Sequence, residues 1–271
     1  MKTKVLFAAF LCCLFLSCKQ KPAETSVCDS TIQEDITLSS SDFVNISDVV
    51  PDALLEIRYY SAYNFVGARV DGYEQPNALM TRQSADSLRA VADELRAKGY
   101  AIKIYDAYRP QMAVDHFVRW GEDIADTAMR HVFYPKVDKS RLFDLDYIAR
   151  KSSHTRGSTV DLTLFDIASG KELDMGGPFD WFGRESHPDC GGRYIDKVRI
   201  EYLPNDTISR EQFNNRMLLR EAMMKHGFKP YECEWWHFTL KDEPYPDTYF
   251  NFPVRILEQQ PRHNGARTSL S

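Results

Sequence analysis

Two histidines and two carboxylates with the chemistry of a hydrolytic metal site lie in two segments far apart along this chain. Any fold that uses them must bring both segments to one cavity. The first segment is Ser152-Ser153-His154-Thr155-Arg156-Gly157-Ser158-Thr159-Val160-Asp161, and the second is Cys233-Glu234-Trp235-Trp236-His237-Phe238. His154, Asp161 and His237 are candidate ligands, and Glu234 stands three residues before the last of them. A catalytic zinc usually takes three protein ligands and keeps a position for water, and a glutamate that is not a ligand can take that water's proton. A lone histidine is more often a surface or hydrogen-bonded residue, so only the combination has weight.

The spacing of the second segment sets a geometric condition. Phe228 to Leu240 reads as extended, and residues three apart in a regular strand point to opposite faces. For Glu234 and His237 to serve one cavity, the backbone between them must turn or bulge. Asp161 belongs to the apolar stretch Thr159-Val160-Asp161-Leu162-Thr163-Leu164 and so projects from a strand, while His154, just before Gly157, falls in a loop or hairpin beside it. Trp235 and Trp236 fit either a core role or the lining of a substrate pocket.

Elsewhere helical and extended patterns alternate. Ser84 to Lys98 places Leu88, Val91, Ala92 and Leu95 on one helical face and stops at Gly99. Tyr100, Ile102 and Ile104 then alternate as a strand that ends at Asp106-Ala107-Tyr108-Arg109-Pro110. Gln111 to Trp120 reads as a helix, and so does Glu211 to His226, which carries Phe213, Met217, Leu218, Ala222 and Met223 and stops at Gly227.

With 271 residues, 43% of them hydrophobic, the chain can bury one substantial core. A formal charge of -5 without basic runs gives no footprint for nucleic acid, and small polar or wall-derived substrates fit better. Lys2 and Lys4 precede an apolar run from Val5 to Leu16, followed by Ser17 and Cys18, the layout of an export signal too short to span a bilayer. The small residue before Cys18 points to a bacterial lipoprotein signal with Cys18 as the lipid-bearing residue and membrane anchor. Phe15 stands where leucine is usual, and an ordinary secretory signal is the alternative. Either way the mature protein is expected outside the cytoplasm, in the periplasm or cell envelope. Residues 19–41 have the composition of a flexible tether, 42–257 form the expected domain, and 258–271 are a polar tail. In an exported domain Cys190 and Cys233 can pair, or each can remain an idle thiol.

Ser152-x-His154-x-x-Gly157-x-x-x-Asp161 followed by Glu234-x-x-His237 resembles the zinc D-alanyl-D-alanine dipeptidases of the vancomycin-resistance (VanX-like) type. The resemblance runs from about Asp52 to Phe238. It includes Arg58-Tyr59, Asn64-Phe65, Asp71-Gly72-Tyr73, Asp106-x-Tyr108-Arg109-Pro110 and Met175-Gly176-x-x-Phe179-Asp180, with Ser186-His187 close behind. It implies an α+β fold with a central, mostly antiparallel sheet flanked by helices, shared with the hedgehog-like zinc hydrolases, and one zinc ion per chain.

Carried over by position, the resemblance implies that His154, Asp161 and His237 bind zinc, that Glu234 is the general base and that Arg109 stabilises the tetrahedral intermediate. Tyr59, Ser152 and Asp180 match groups near the free amino end of a small D,D-dipeptide substrate. His187 is either a partner that orients a ligand or a plain surface histidine, and His116, His131, His226 and His263 carry no supporting pattern. Two other readings stay open: a zinc carboxypeptidase or endopeptidase acting on peptidoglycan stems, and a non-enzymatic zinc-bearing binding module. The export signal departs from the family's cytoplasmic enzyme, and an exported chain is expected to trim or scavenge wall-derived peptides.

Overall fold

The computed structural model describes residues 42–203 and 207–258. The signal at 1–18, the tether at 19–41 and the tail beyond 258 therefore lie outside the described residues. In chain order the elements are β1 (Phe43–Asn45), the single-turn helix α1 (Ile46–Val49), β2 (Leu54–Leu55), β3 (Leu79–Thr81), α2 (Arg82–Arg96), β4 (Tyr100–Asp106) and α3 (Gln111–Glu122). There follow α4 (Arg130–Phe133), β5 (Thr159–Asp166), β6 (Lys171–Glu172), the hairpin β7 (Gly192–Tyr194) and β8 (Ile200–Tyr202), α5 (Arg210–Lys225), β9 (Phe228–Pro230) and β10 (His237–Leu240).

The main sheet runs β2-β4-β5-β10-β9, with β6 added to β5. Only β2 and β4 pair in parallel, and the other pairings are antiparallel. This is the expected α+β architecture. Helix α2 buries Ala85, Leu88, Val91, Ala92 and Leu95 on the face that the sequence pattern marks, and the chain turns back at Gly99 with φ +91°. A capping box between Ser209 and Gln212 starts α5, and Gly227 with φ +92° follows it. These two helices pack on each other and on the sheet.

Period-two alternation divides the sheet into an apolar and a polar face. Ile102 and Ile104 of β4, Val160, Leu162 and Leu164 of β5, and Phe238 and Leu240 of β10 are all buried in the main core with Leu88, Val91 and Leu95. Each such aliphatic side chain stabilises the fold by about 1.5–3 kcal/mol relative to exposure. The alternate positions, Thr159, Asp161 and Thr163 on β5 and His237 and Thr239 on β10, are polar. Thr159 and Thr239 face each other across the strands at 2.9 Å. The functional residues thus share the face away from α2 and α5.

Two local departures complete that face. Between Ile104 and Asp106 the register with β5 shifts, so that Ile104 sits opposite Leu162 but Asp106 sits opposite Asp161. Such a bulge re-aims the side chain after it; regular alternation would have put Asp106 on the apolar side with Ile104. The second departure corrects the reading of Phe228 to Leu240 as one extended run. β9 stops at Pro230 and β10 begins at His237, whose N–H donates to the Glu234 carbonyl at 3.4 Å across a tight turn.

Candidate metal centre

Antiparallel pairing of β5 with β10 sets Asp161 directly opposite His237. His154 arrives from a short 3-10 turn, Ser153–Arg156, capped at its start by the Ser152 side chain and ended by Gly157 with φ +76°. A Cβ on Gly157 would lie 2.3 Å from the Phe43 ring, so glycine is required for both its backbone angle and its space.

His154 Nε2 lies 3.2 Å from Asp161 Oδ2 and 3.3 Å from His237 Nδ1, and His237 Nδ1 lies 3.1 Å from Asp161 Oδ1. The tautomer of His154 follows from its neighbour: Nδ1–H donates to the Ala107 carbonyl at 2.6 Å, an oxygen that can only accept, which leaves the Nε2 lone pair facing the cluster. His237 turns Nε2 to Ser153 Oγ at 3.2 Å and Nδ1 to the cluster. One ligand atom from each of the three residues lies within 4.8 Å of the others.

The fit to a metal ion can be judged on these atoms. Asp161 is 2% exposed, and its Oδ1, though 3.1 Å from His237 Nδ1, accepts no well-directed hydrogen bond; a cation at the cluster would satisfy this buried carboxylate oxygen. Burial pulls the His237 imidazole down, yet Asp161 and Glu234 outweigh it and raise its pKa to about 9. The cluster therefore favours positive charge. Two imidazole nitrogens and one carboxylate form a donor set suited to a catalytic divalent metal, with room for water. The residues fit the group.

Glu234 Oε2 lies 3.3 Å from His237 Nδ1, and its side chain is 28% exposed. The turn thus does what the spacing demands, placing both side chains at one cavity. Trp235 and Trp236, between them, are buried and pack edge-to-face on each other, and Trp236 packs on Phe179. They belong to the core and do not line the cleft.

Arg109 Nε and Nη2 both bond Asp106 Oδ2 at 2.9 Å, and Nη2 is 3.6 Å from Asp161 Oδ2. The guanidinium also lies over the rings of Tyr59 and Phe117. Asp106 in turn accepts the Tyr73 hydroxyl at 2.6 Å. Burial pushes the Asp106 carboxyl up, while Arg109 and then His154 oppose that shift.

Asp180 adopts φ +61°, an uncommon conformation for a residue with a side chain. Its Oδ1 accepts the Tyr59 hydroxyl at 3.1 Å, and its buried Oδ2 has no partner. Burial pushes its carboxyl well above the usual carboxylate range, with Arg58 opposing. Tyr59, Arg109, Ser152, Asp180 and Glu234 line the same cleft as the three candidate ligands, a cleft of about 350 Å³. That is the lower end of the range of about 300–1,000 Å³ for small-molecule sites.

Two alternatives that the sequence leaves open are decided. His187 is not a partner of any candidate ligand: the Ala107 carbonyl and Ser153 occupy those positions, and the His187 carbonyl instead accepts from Arg216 at 2.9 Å. Cys190 and Cys233 do not pair; both are free thiols, and Cys190 is buried beside Ile208 and Phe213. The sequence reading also missed Asp106 as the anchor of Arg109 and Ser153 as the partner of His237. The i,i+3 spacing of Asp106 and Arg109 was a usable signal for the first, whereas the second needed the tertiary fold.

A three-donor cluster built from a buried strand pair and the turn that precedes it, with a second carboxylate and a fixed guanidinium facing one small cleft, defines the centre of a metal-dependent hydrolase. The sequence profile of the D-ala-D-ala dipeptidases, a family of peptidases, matches residues 39–255. The chain is 37% identical to the D-alanyl-D-alanine dipeptidase of Enterococcus faecalis over 212 residues, which cover 78% of this chain and 98% of that one. It is 35% identical to the enzyme of the same name from Streptomyces coelicolor over 215 residues, covering 79% and 99%. Against that of Escherichia coli the identity is 30% over 201 residues, covering 74% and 86%. The chain belongs to the D-ala-D-ala dipeptidase family of metallopeptidases.

Proposed function

We propose that this chain hydrolyses D-alanyl-D-alanine and closely related D,D-dipeptides to free amino acids, with one zinc ion held by His154 Nε2, Asp161 and His237 Nδ1. Zinc held there would supply a Lewis acid for the peptide carbonyl and would lower the pKa of water towards neutrality. Glu234 takes the proton of the attacking water and returns it to the departing amine, acting as base and then acid. Arg109 meets the charge that builds on the carbonyl oxygen. Its bonds to Asp106 fix the guanidinium in advance, so little reorganisation is needed at the moment of reaction.

The observation that favours a dipeptidase over a carboxypeptidase is the unpartnered Oδ2 of Asp180 in this cleft. Tyr59 holds the other oxygen, leaving Oδ2 for the ammonium of a free amino terminus beside the scissile bond. An ammonium there also offsets the burial that disfavours the carboxylate. Ser152 lines the same cleft and fixes the His154 turn by accepting the His154 N–H at 3.3 Å. Glu234, beside the ligand cluster and free of any cationic lysine or arginine partner among the described residues, has no evident use in a binding module without catalysis.

Purified protein is expected to cleave D-Ala-D-Ala, to leave L-Ala-L-Ala and a D-Ala-D-Ala-terminated pentapeptide largely intact, and to lose activity to a chelator and regain it with zinc. Release of D-Ala from the pentapeptide faster than cleavage of the dipeptide would replace this reading with the carboxypeptidase.

The export signal at 1–18 supports a role outside the cytoplasm, with Cys18 as lipid anchor and wall-derived D-amino acid peptides as substrates. Expressed whole in a vancomycin-susceptible host, the chain is expected to give no resistance, because it cannot drain a cytoplasmic dipeptide pool. Strong resistance from the whole chain would contradict an exported role.

A further inference from the structure

Arg216 of α5 is 1% exposed, and its guanidinium bonds no carboxylate among the described residues. All three of its nitrogens are spent on backbone carbonyls: Nε to Met175 at 2.5 Å, Nη2 to Glu185 at 2.7 Å and Nη1 to His187 at 2.9 Å. A buried cation without a counter-charge is costly to keep, so these bonds must serve an arrangement that an apolar side chain could not hold.

The three carbonyls lie at the two ends of one loop. Residues 175–187 leave the guanidinium at Met175 and return to it at Glu185 and His187. The two limbs approach so closely that a Cβ on Gly177 would stand 3.0 Å from the Glu185 carbonyl oxygen. Asp180 lies inside that loop at φ +61°. A strained backbone of this kind persists only where its surroundings over-determine it. The returning limb is also tied to the catalytic turn, since the Trp235 N–H donates to the Ser186 carbonyl at 2.8 Å.

We infer that Arg216 is a positioning residue for recognition of the substrate's amino end: by clasping both limbs of the 175–187 loop it holds Asp180 Oδ2 in the cleft. This rests on the proposed dipeptidase reading. Arg216 touches neither substrate nor metal, and it acts through Asp180. Because Asp180 meets an ammonium present in both ground and transition states, the clasp governs binding more than turnover.

The test is a double-mutant cycle on the metal-loaded enzyme with D-Ala-D-Ala, using R216M, R216K, D180N and R216M/D180N. R216M is expected to raise KM at least tenfold with kcat within threefold of the parent. R216K is expected to recover only part of the loss, because a point charge cannot span three carbonyls as a planar fork does. In the D180N background R216M is expected to add less than a twofold change in KM. Melting temperature and metal content, measured on each variant, show whether it is folded and loaded. If R216M does not fold, R216K carries the same cycle. Equal multiplication of the two effects, or a loss confined to kcat, overturns the positioning role while leaving the dipeptidase reading intact. A parent enzyme that cleaves no D,D-dipeptide overturns both.

Discussion

Glu234→Gln is expected to lower kcat on D-Ala-D-Ala by about 10²–10⁴-fold, the range for loss of a general acid–base group, while the metal content of the protein stays at one per chain. Glutamine keeps the size of the side chain and its approach to His237 but cannot take a proton. The side chain is 28% exposed and stands beside the ligand cluster, so the folded state should tolerate the change. Single-turnover kinetics together with metal analysis by atomic emission check both halves. Full activity in E234Q would remove Glu234 from the mechanism, and loss of metal would make it a ligand instead.

Arg109→Met should produce two separable losses. Removing a donor that meets a developing oxyanion costs about 10²–10³-fold in kcat. Removing the partner of a carboxylate that is 1% exposed leaves a buried charge uncompensated, which destabilises a fold by about 3–5 kcal/mol. The second loss belongs to Asp106, not to the chemistry, so R109M/D106N should recover much of the stability and none of the activity. Urea denaturation of the parent, the single variant and the double variant separates the two. If the double variant regains turnover, Arg109 acts only as a structural counter-ion.

Much of the local structure could be read from residue order because it depends on short-range physics. Helix α2 follows from one apolar face and the glycine after it, and α5 from its apolar spacing and Gly227. Within α5 the expected face is partly displaced: Met217 and Leu218 are half-buried while Leu219, Arg216 and Arg220 are buried, and periodicity of apolar residues cannot anticipate buried arginines. The run from Phe228 to Leu240 was misread for a related reason. Its aromatic residues have strand propensity, but burial of Trp235 and Trp236 in the core bends the backbone between β9 and β10.

The sequence alone determined which side chains have the chemistry of a metal hydrolase, and from the spacing of Glu234 and His237 it required a turn between them. A resemblance added the family and the residue roles. Tertiary structure decided what stands opposite what. Strand pairing set His237 against Asp161, a bulge turned Asp106 onto the site face beneath Arg109, and a buried guanidinium gathered the loop that carries Asp180. The first and last join residues distant in sequence, and the bulge lies in the pairing of β4 with β5, so register and packing fix all three.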